Sequence, residues 1–169
     1  MKGLRSLLDA GMQGGWGLKK LNMALKIGIP FNRPHGIKIH KLEQHKSQTF
    51  IPYKKKNFNH IRGTHACGLA TVSEFSAGLL LMNNLNADEY RIIMKTINVE
   101  YHYQCKKDAI ATSEMSESEI MDSIKTPLES QEAIMKEVVT EIYDVDNNHI
   151  STCKTLWQIK SWSKVKTKL

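Results

Sequence analysis

Residues 64–85, THACGLATVSEFSAGLLLMNNL, contain one charged side chain among Asp, Glu, Lys and Arg, and that side chain belongs to Glu74. A carboxylate in apolar surroundings costs on the order of a few kcal/mol or more unless it is hydrogen-bonded or protonated. Glu74 is therefore the first candidate for a chemical role. The alternative is that it lies on a solvated stripe of an amphipathic helix.

The same stretch predicts a long helix over residues 64–84. Gly63 and Thr64 supply a flexible residue and a good N-cap at its start, and asparagines mark its end. Both faces are apolar, which indicates a helix enclosed within a fold. Its many small side chains allow a sheet to approach closely.

No membrane span is predicted. Glu74 divides the uncharged run into pieces shorter than the roughly 20 residues needed to cross a bilayer. With 169 residues and no internal repeat, the chain is predicted to form one domain over residues 1–169. The start of the chain lacks the continuous apolar core of a secretory signal.

Three cysteines, Cys67, Cys105 and Cys153, are odd in number and widely separated. This pattern is typical of the reducing cytoplasm and argues against a structural zinc site, so no metal is predicted. We expect all three to be buried thiols.

Charge is unevenly distributed around a net value of +7. Residues 1–56 hold 12 Lys or Arg and 2 acids, whereas residues 108–146 hold 2 Lys and 11 acids. No zinc-finger, helix-turn-helix or RNP-type pattern accompanies the basic residues, so nucleic-acid binding is not predicted. Most of the lysines are expected on the solvated surface, and an anionic substrate is expected to approach from the basic N-terminal side.

Outside the central helix, residues 1–30 are predicted as a helical lead. Its amphipathic part has Trp16, Leu18, Leu21, Leu25 and Ile27 on the apolar side and is closed by Pro30. Alternating or β-rich runs predict strands at 36–44, 48–54, 91–104, 109–115, 134–145 and 149–162, with a short helix at 117–124. The chain is thus α+β, with an antiparallel sheet curled around one long helix.

The run NFNHIRGTHACGLATVSEFSAGLL resembles the hotdog-fold acyl-CoA thioesterases of the phenylacetic-acid-degradation type. Their signature is Asn, then Gly-x-His-Gly-Gly, then an acid nine residues after the His, and Asn59, Gly63, His65 and Glu74 fall at those offsets. The two glycines after the histidine are Ala66 and Cys67 here.

The wider sequence is similar to the DUF4442 branch of the same superfamily. The shared features are a lead helix ending in Pro30-Phe31, a basic strand before Asn59-His60, and a strand closing on Glu100-Tyr101. This resemblance covers most of the chain and implies the hotdog fold.

The resemblance implies thioester hydrolysis, and general chemistry suits it. Free N–H groups of Ala66 and Cys67 at a helix start can bind the oxyanion, and Glu74 with a raised pKa can act as general base or nucleophile. Asn59 or His60 would orient the water or carbonyl, and Thr64 would cap the helix or bind substrate. No cofactor is required.

Each remaining candidate has a structural alternative. His65 acts in proton transfer or, because the helix dipole disfavours its protonated form, is a packing or capping residue. Asn59 is catalytic or a turn former. Gly63 and Cys67 contribute to substrate binding or only to packing. Arg62, together with the lysines at 54, 55 and 56, receives the phosphates of coenzyme A or is merely solvated.

Ala66 and Glu74 are eight residues apart, or about 12 Å along a helix, too far for one carbonyl to contact both. Glu74 of one subunit must then face the helix start of another, which fits the interfacial active sites that the resemblance implies. We predict a homodimer or tetramer whose substrate is an acyl thioester of coenzyme A or acyl carrier protein.

Two other functions stay open. A non-catalytic hotdog protein could bind acyl-CoA or an acyl chain without hydrolysing it. Hotdog dehydratases are a further option, although their Gly-His-Phe-Pro segment has no counterpart here. Acyl-chain length depends on packing around Met94, Ile97, Tyr101 and Tyr103, and the sequence does not determine it.

Overall fold

The computed structural model describes residues 3–165. The helices are α1 (Leu4–Met12), α2 (Gly15–Gly28), α3 (Asn32–His35), α4 (Ala66–Asn84), α5 (Glu117–Ile120) and α6 (Thr126–Ser130), the last two joined by a π-helical turn, Met121–Lys125. The strands are β1 (Lys38–Glu43), β2 (Lys46–Ile51), β3 (Tyr90–Tyr101), β4 (Ala109–Glu114), β5 (Ala133–Asp144) and β6 (His149–Ser161). Short 3-10 turns occupy Lys55–Asn57 and Trp162–Lys164.

The six strands form one antiparallel sheet in the order β1-β2-β4-β5-β6-β3. It curls around α4, so the predicted α+β arrangement and its strands are confirmed, with boundaries shifted by a few residues. The short helix predicted at 117–124 extends as far as Ser130 through the π-helical turn. Val72, Leu79, Leu80 and Leu81 of α4 are completely buried between the strands.

Hydroxyl side chains allow α4 and the sheet to lie close together. Ser47 donates to the carbonyl of Ser76 at 2.6 Å, and Thr49 donates to the carbonyl of Val72 at 2.7 Å. These contacts satisfy polar groups that burial would otherwise leave without partners. At Gly78 an added Cβ would lie 3.1 Å from the ring of Trp157, so a larger residue would require the indole to shift by a few tenths of an ångström.

The lead contains two helices, α1 and α2. Leu21 of α2 is completely buried, and Leu18 and Leu25 pack beside it, as predicted. The prediction is wrong for Trp16 and Ile27, which face away from the core and are highly exposed. The sheet contacts only one side of α2, and these two side chains lie on the opposite side.

The two edges of the sheet differ. Asn22 of α2 binds the backbone of Ile39 in β1 twice, its Nδ2 donating to the carbonyl at 3.0 Å and its Oδ1 accepting from the N–H at 2.8 Å. This contact occupies the backbone groups of Ile39 at the outer edge of β1. Strand β3 pairs with β6 alone within residues 3–165, so its other edge has no strand partner there.

Helix α4 is long and apolar enough by composition to cross a bilayer, but most of it is buried against the sheet. The core of a folded domain gives the same signal, so we assign no membrane span. Among the cysteines, Cys105 and Cys153 are buried as predicted. The prediction is wrong for Cys67, which is exposed because it lies on the first turn of α4, where residues 65–67 are all exposed.

Candidate functional site

The start of α4 is capped by His65. Its Nδ1 accepts a hydrogen bond from the N–H of Cys67 at 3.1 Å, and the helix begins at Ala66, not Thr64. The prediction that Thr64 is the N-cap is wrong: its N–H donates to the carbonyl of Cys105 at 2.7 Å, which holds this residue in the core. Since Nδ1 of His65 accepts, Nε2 carries the proton of the neutral ring.

Asn57 fixes the position of the helix start, and sequence reasoning missed it. Its Nδ2 donates to the carbonyls of His35 and Pro52, both at 2.9 Å, and its Oδ1 lies 3.0 Å from Nδ1 of His35. Its own carbonyl accepts from the N–H of His65 at 2.7 Å. This buried amide therefore ties three segments together beneath the cap.

Asn59 shapes the loop that leads into the helix. Its Oδ1 accepts from the N–H groups of Ile61 and Gly63 at 3.1 and 2.9 Å, the geometry of an Asx turn. Arg62 has a left-handed backbone with φ of 59°. His60 and Arg62 are exposed, whereas Gly63 is buried, and a Cβ added there would lie 3.1 Å from the side chain of Gln104. The oxygen of Asn59 is thus committed to the loop, and its Nδ2 is the group left for a ligand.

The N–H of Ala66 has no hydrogen-bond acceptor in the described part of the chain, whereas that of Cys67 is occupied by His65. The carbonyl of Ala66 accepts from the hydroxyl of Tyr101 at 3.0 Å, which joins β3 to the first turn of α4. Of the two predicted oxyanion donors, only Ala66 therefore has its N–H available in this structure.

Glu74 is half-buried, and no hydrogen-bond partner is found for it among the described residues. With 3.6 residues per turn, it lies at the centre of an incompletely covered stripe. The other members of this stripe, which we call the open stripe of α4, are Ala66, Cys67, Ala70 and Thr71. The stripe ends where Trp157 packs over Gly78.

Burial raises the pKa of Glu74 above its ordinary value, because the apolar surroundings disfavour the charged form. Burial, with a smaller contribution from the charge of Glu74, raises the pKa of Cys153 to about 11. Cys153 is therefore a neutral thiol beside the carboxylate. Burial likewise raises the pKa of Tyr101, so its hydroxyl keeps its proton.

Cavities lie on both sides of the helix start. The first, of about 220 Å³, is lined mainly by apolar surface and includes Phe31, Phe58, His65 and Cys67. The second, of about 320 Å³, includes Asn59, Thr64, Ala66 and Tyr101. The structure thus brings the predicted residues Asn59, Thr64 and Ala66 to one cavity and His65 and Cys67 to the other.

Glu74 lines neither cavity. It is two turns further along α4, about 12 Å from Ala66 along the axis. The chain by itself does not bring its candidate base to its candidate oxyanion donor. In the exposed part of β3, Ile97, Val99 and Tyr101 share one face of the strand. They pair with Thr155, Cys153 and Ser151 of β6.

Within residues 3–165, no three side chains of His, Cys, Asp or Glu lie close enough together to hold a metal ion. The lysines at 54, 55 and 56 line a shallow basic depression with Arg33 and Pro34 near the first cavity.

Several solved structures have a similar fold. A probable thioesterase of unknown function from Pseudomonas aeruginosa has 19% identity and a TM-score of 0.75, over 80% of this chain and 90% of that one. A thioesterase from Haemophilus influenzae has 11% identity and a TM-score of 0.67, over 85% and 90%. A mutant thioesterase from Staphylococcus aureus has 13% identity and a TM-score of 0.64, over 78% and 98%. At such identities, the similarity shows the fold alone.

A long helix enclosed by a six-stranded antiparallel sheet, shared with these proteins, defines the hotdog fold. The model of the domain of unknown function DUF4442 matches residues 17–159. The chain belongs to the DUF4442 family, as its sequence predicted. No curated protein matches it.

The raised pKa of Glu74 gives a prediction about stability. The folded state holds the proton more tightly than the unfolded chain, so the ionised carboxylate destabilises the fold above the raised pKa, and this effect disappears below the ordinary value of 4.5. Glu74→Gln is expected to raise Tm at about pH 8 and to leave it unchanged at about pH 4. The rise should be about 2–4 °C for each kcal/mol by which the substitution increases the free energy of unfolding.

Calorimetry of the wild type, Glu74→Gln and the exposed control Glu137→Gln tests this expectation. The control should change Tm little at either pH, because Glu137 lies on the solvated face of β5. A wild type that is more stable than Glu74→Gln at pH 8 would contradict the prediction.

Proposed function

We propose that this protein is an acyl thioesterase whose active site is shared between two copies of the chain. The observation that carries the proposal is Glu74, a half-buried carboxylate with a raised pKa and no described hydrogen-bond partner, at the centre of the open stripe of α4. A buried acid of this kind is suited to take a proton near neutral pH.

The oxyanion would be stabilised at the helix start of the other copy. The N–H of Ala66 is the available donor, and the positive end of the α4 dipole adds to it. His65 lines the first cavity, so its Nε2–H would be an alternative donor for an oxyanion bound on that side. Asn59 would contribute its Nδ2 from the second cavity, whereas Gly63 and Thr64 hold the loop in shape.

Hydrolysis would begin when the carboxylate of Glu74 takes a proton from a water molecule while the oxygen of that water attacks the thioester carbon. The carbonyl oxygen becomes an oxyanion that accepts from Ala66. The carbon–sulfur bond then breaks, and the proton on Glu74 passes to the leaving thiolate, which restores the carboxylate. In the alternative covalent mechanism, Glu74 attacks directly and water hydrolyses the resulting anhydride.

The proposed substrate is an acyl thioester of coenzyme A or acyl carrier protein in the cytoplasm. Both carriers are anionic, and the basic depression formed by Arg33 and residues 54–56 lies beside the first cavity. Exposed Arg62 and His60 lie on the adjacent loop and would contact the carrier. The acyl chain would lie beside exposed Tyr101 of β3, which lines the second cavity.

A dimer is proposed because Glu74 and Ala66 of the same chain lie about 12 Å apart along α4, too far for both to contact one thioester carbonyl. The open edge of β3 is the place where a second sheet can add, and the exposed Ile97 and Tyr101 would then be covered. Sedimentation should give at least twice the mass of the chain at micromolar concentration. A monomer that hydrolyses substrate at full rate would contradict the shared site.

A panel of short, long and aromatic acyl-CoA thioesters, assayed with a thiol-detecting reagent, tests the function. Exposed Cys67 will itself react with the reagent, so the wild type and Cys67→Ser should be compared, each after the protein thiols have been titrated. Catalytic release of thiol from one class is the expected result. Ligand binding without hydrolysis across the panel would favour the non-catalytic acyl-CoA binder instead.

A further inference from the structure

The outer side of α2 carries an apolar stripe that nothing in the described chain covers. Trp16, Met23 and Ile27 are 77%, 63% and 80% exposed, and Phe31, just beyond the helix, is 63% exposed. With 3.6 residues per turn, the three helical members fall within about 40° of one another and span about 16 Å. We call these four residues the outer stripe. Leu18, Leu21 and Leu25 bury the opposite side of the helix.

Basic residues flank the outer stripe. Lys19, Lys20 and Lys26 lie on α2, and Nζ of Lys19 lies 5.0 Å from the centre of the Trp16 ring. Between Asp9 and Glu43 the sequence has no acidic residue. The basic depression formed by Arg33 and residues 54–56 continues the same positive surface past α3.

An apolar stripe containing Trp and Phe, bordered by lysines, has the composition of helices that lie in the interface of a bilayer. Lysine stems can lie along the apolar surface while their charges reach lipid headgroups. Each Lys near an anionic bilayer strengthens binding by about 5-fold. The same surface is less suited to a second copy, because a symmetric contact would place these lysines against one another.

The size and position of the outer stripe also favour a lipid. Stable protein interfaces use about 20–30 residues on each side, whereas this stripe exposes four apolar residues along one helix. Helix α2 packs on β1, at the opposite end of the sheet from β3. Docking of a bilayer here is therefore compatible with pairing of two copies through β3.

We infer that the outer stripe and its flanking lysines form a peripheral membrane-binding surface for anionic bilayers. Trp16, Met23, Ile27 and Phe31 enter the headgroup region, and the lysines contact lipid phosphates. Phe31 also lines the first cavity, so a docked protein would hold the mouth of this cavity against the bilayer. The inference does not depend on hydrolysis, because it rests on a surface separate from Glu74.

Cosedimentation with vesicles of phosphatidylcholine alone, or with about one third phosphatidylglycerol, tests the inference. The full chain should bind the anionic vesicles at least about 10-fold more tightly than the phosphatidylcholine vesicles, and this binding should weaken as salt is added. Trp16→Ser combined with Ile27→Ser should weaken it about 10-fold or more, because both side chains leave the bilayer. The lysine triple variant K19Q/K20Q/K26Q should reduce it to the level of neutral vesicles.

Matched control variants carry the same kinds of substitution on other surfaces of the protein. Val145→Ser combined with Met135→Ser changes two exposed apolar residues, and K95Q/K106Q/K125Q changes three exposed lysines. Both controls should bind anionic vesicles as the wild type does, and all variants should keep the wild-type Tm. A blue shift of tryptophan fluorescence on binding should be largely lost in Trp16→Phe.

Equal binding to both kinds of vesicle, or equal losses in the control variants, would overturn the inference. A different result would identify another occupant. If no vesicle binding occurs and the wild type sediments as a larger assembly that Trp16→Ser with Ile27→Ser reduces, then this surface binds a second copy and the membrane proposal is wrong.

Discussion

Replacing Ala66 by proline is expected to lower kcat for thioester hydrolysis by about 100- to 1000-fold without unfolding the protein. The substitution removes the one N–H at the helix start that has no acceptor in the described residues. Ala66 is the first residue of α4, a position that proline favours, and His65 before it has the extended ψ of 139° that a following proline requires. The substitution therefore removes the proposed oxyanion donor and leaves the fold intact.

Ala66→Ser is the matched control, because it alters the side chain and keeps the N–H. It should retain activity within a few-fold of the wild type, and Tm of both variants should stay close to that of the wild type. Full activity in Ala66→Pro would show that the oxyanion is stabilised elsewhere, with Nε2 of His65 as the next candidate.

Replacing Glu74 by glutamine is expected to lower hydrolysis by about 100-fold or more while ligand binding persists. The amide keeps the size of the side chain but cannot take a proton from water or form an acyl intermediate. In the wild type, kcat/KM should fall on the acidic side with a midpoint above the ordinary glutamate pKa of 4.5, because burial raises the pKa of Glu74. This dependence should vanish from the residual activity of the variant.

Glu137→Gln serves as the control for that experiment, since Glu137 is exposed on the far face of β5 and should leave both the rate and the pH profile unchanged. Loss of acyl-CoA binding in Glu74→Gln would assign Glu74 to substrate binding. An unchanged rate would refute the proposed role of Glu74.

The two inactive variants together test the shared site. After unfolding and refolding as an equal mixture, about half of the dimers contain one chain of each kind. In these mixed dimers, one site joins an intact Glu74 to an intact Ala66, so about one quarter of the wild-type activity should return. No recovery in dimers proven to be mixed would mean that each site is built within one chain.

The sequence predicted the central helix and the strands because their periodicities are local. Residues 64–84 are apolar on both faces, and this property alone places the helix inside the sheet. Helix α2 shows the limit of this approach. Its Leu18–Leu21–Leu25 side and its Trp16–Met23–Ile27 side are both apolar, and only the tertiary structure decides which of them faces the core.

The local structure around the candidate site was predictable to a similar extent. Gly63 and Thr64 predicted a helix start within two residues of Ala66, but the identity of the cap depends on a distant contact. The carbonyl of Cys105, 41 residues from Thr64, holds Thr64 inward and leaves His65 to cap α4. Asn57 and His35, which are 22 residues apart, are brought together by strands β1 and β2, which lie between them in the chain. No local pattern indicates such pairs.

The bidentate contact of Asn22 with Ile39 has a consequence for how large an assembly can grow. A sheet with two bare margins could extend from copy to copy into a fibre. Here an amide side chain fills both backbone groups of Ile39, so a strand that added to β1 would find its row of hydrogen bonds interrupted there, whereas no such contact lies on the edge of β3 among the described residues. Pairing through β3 is therefore favoured over pairing through β1, and this difference between the two margins disfavours open-ended growth by strand addition.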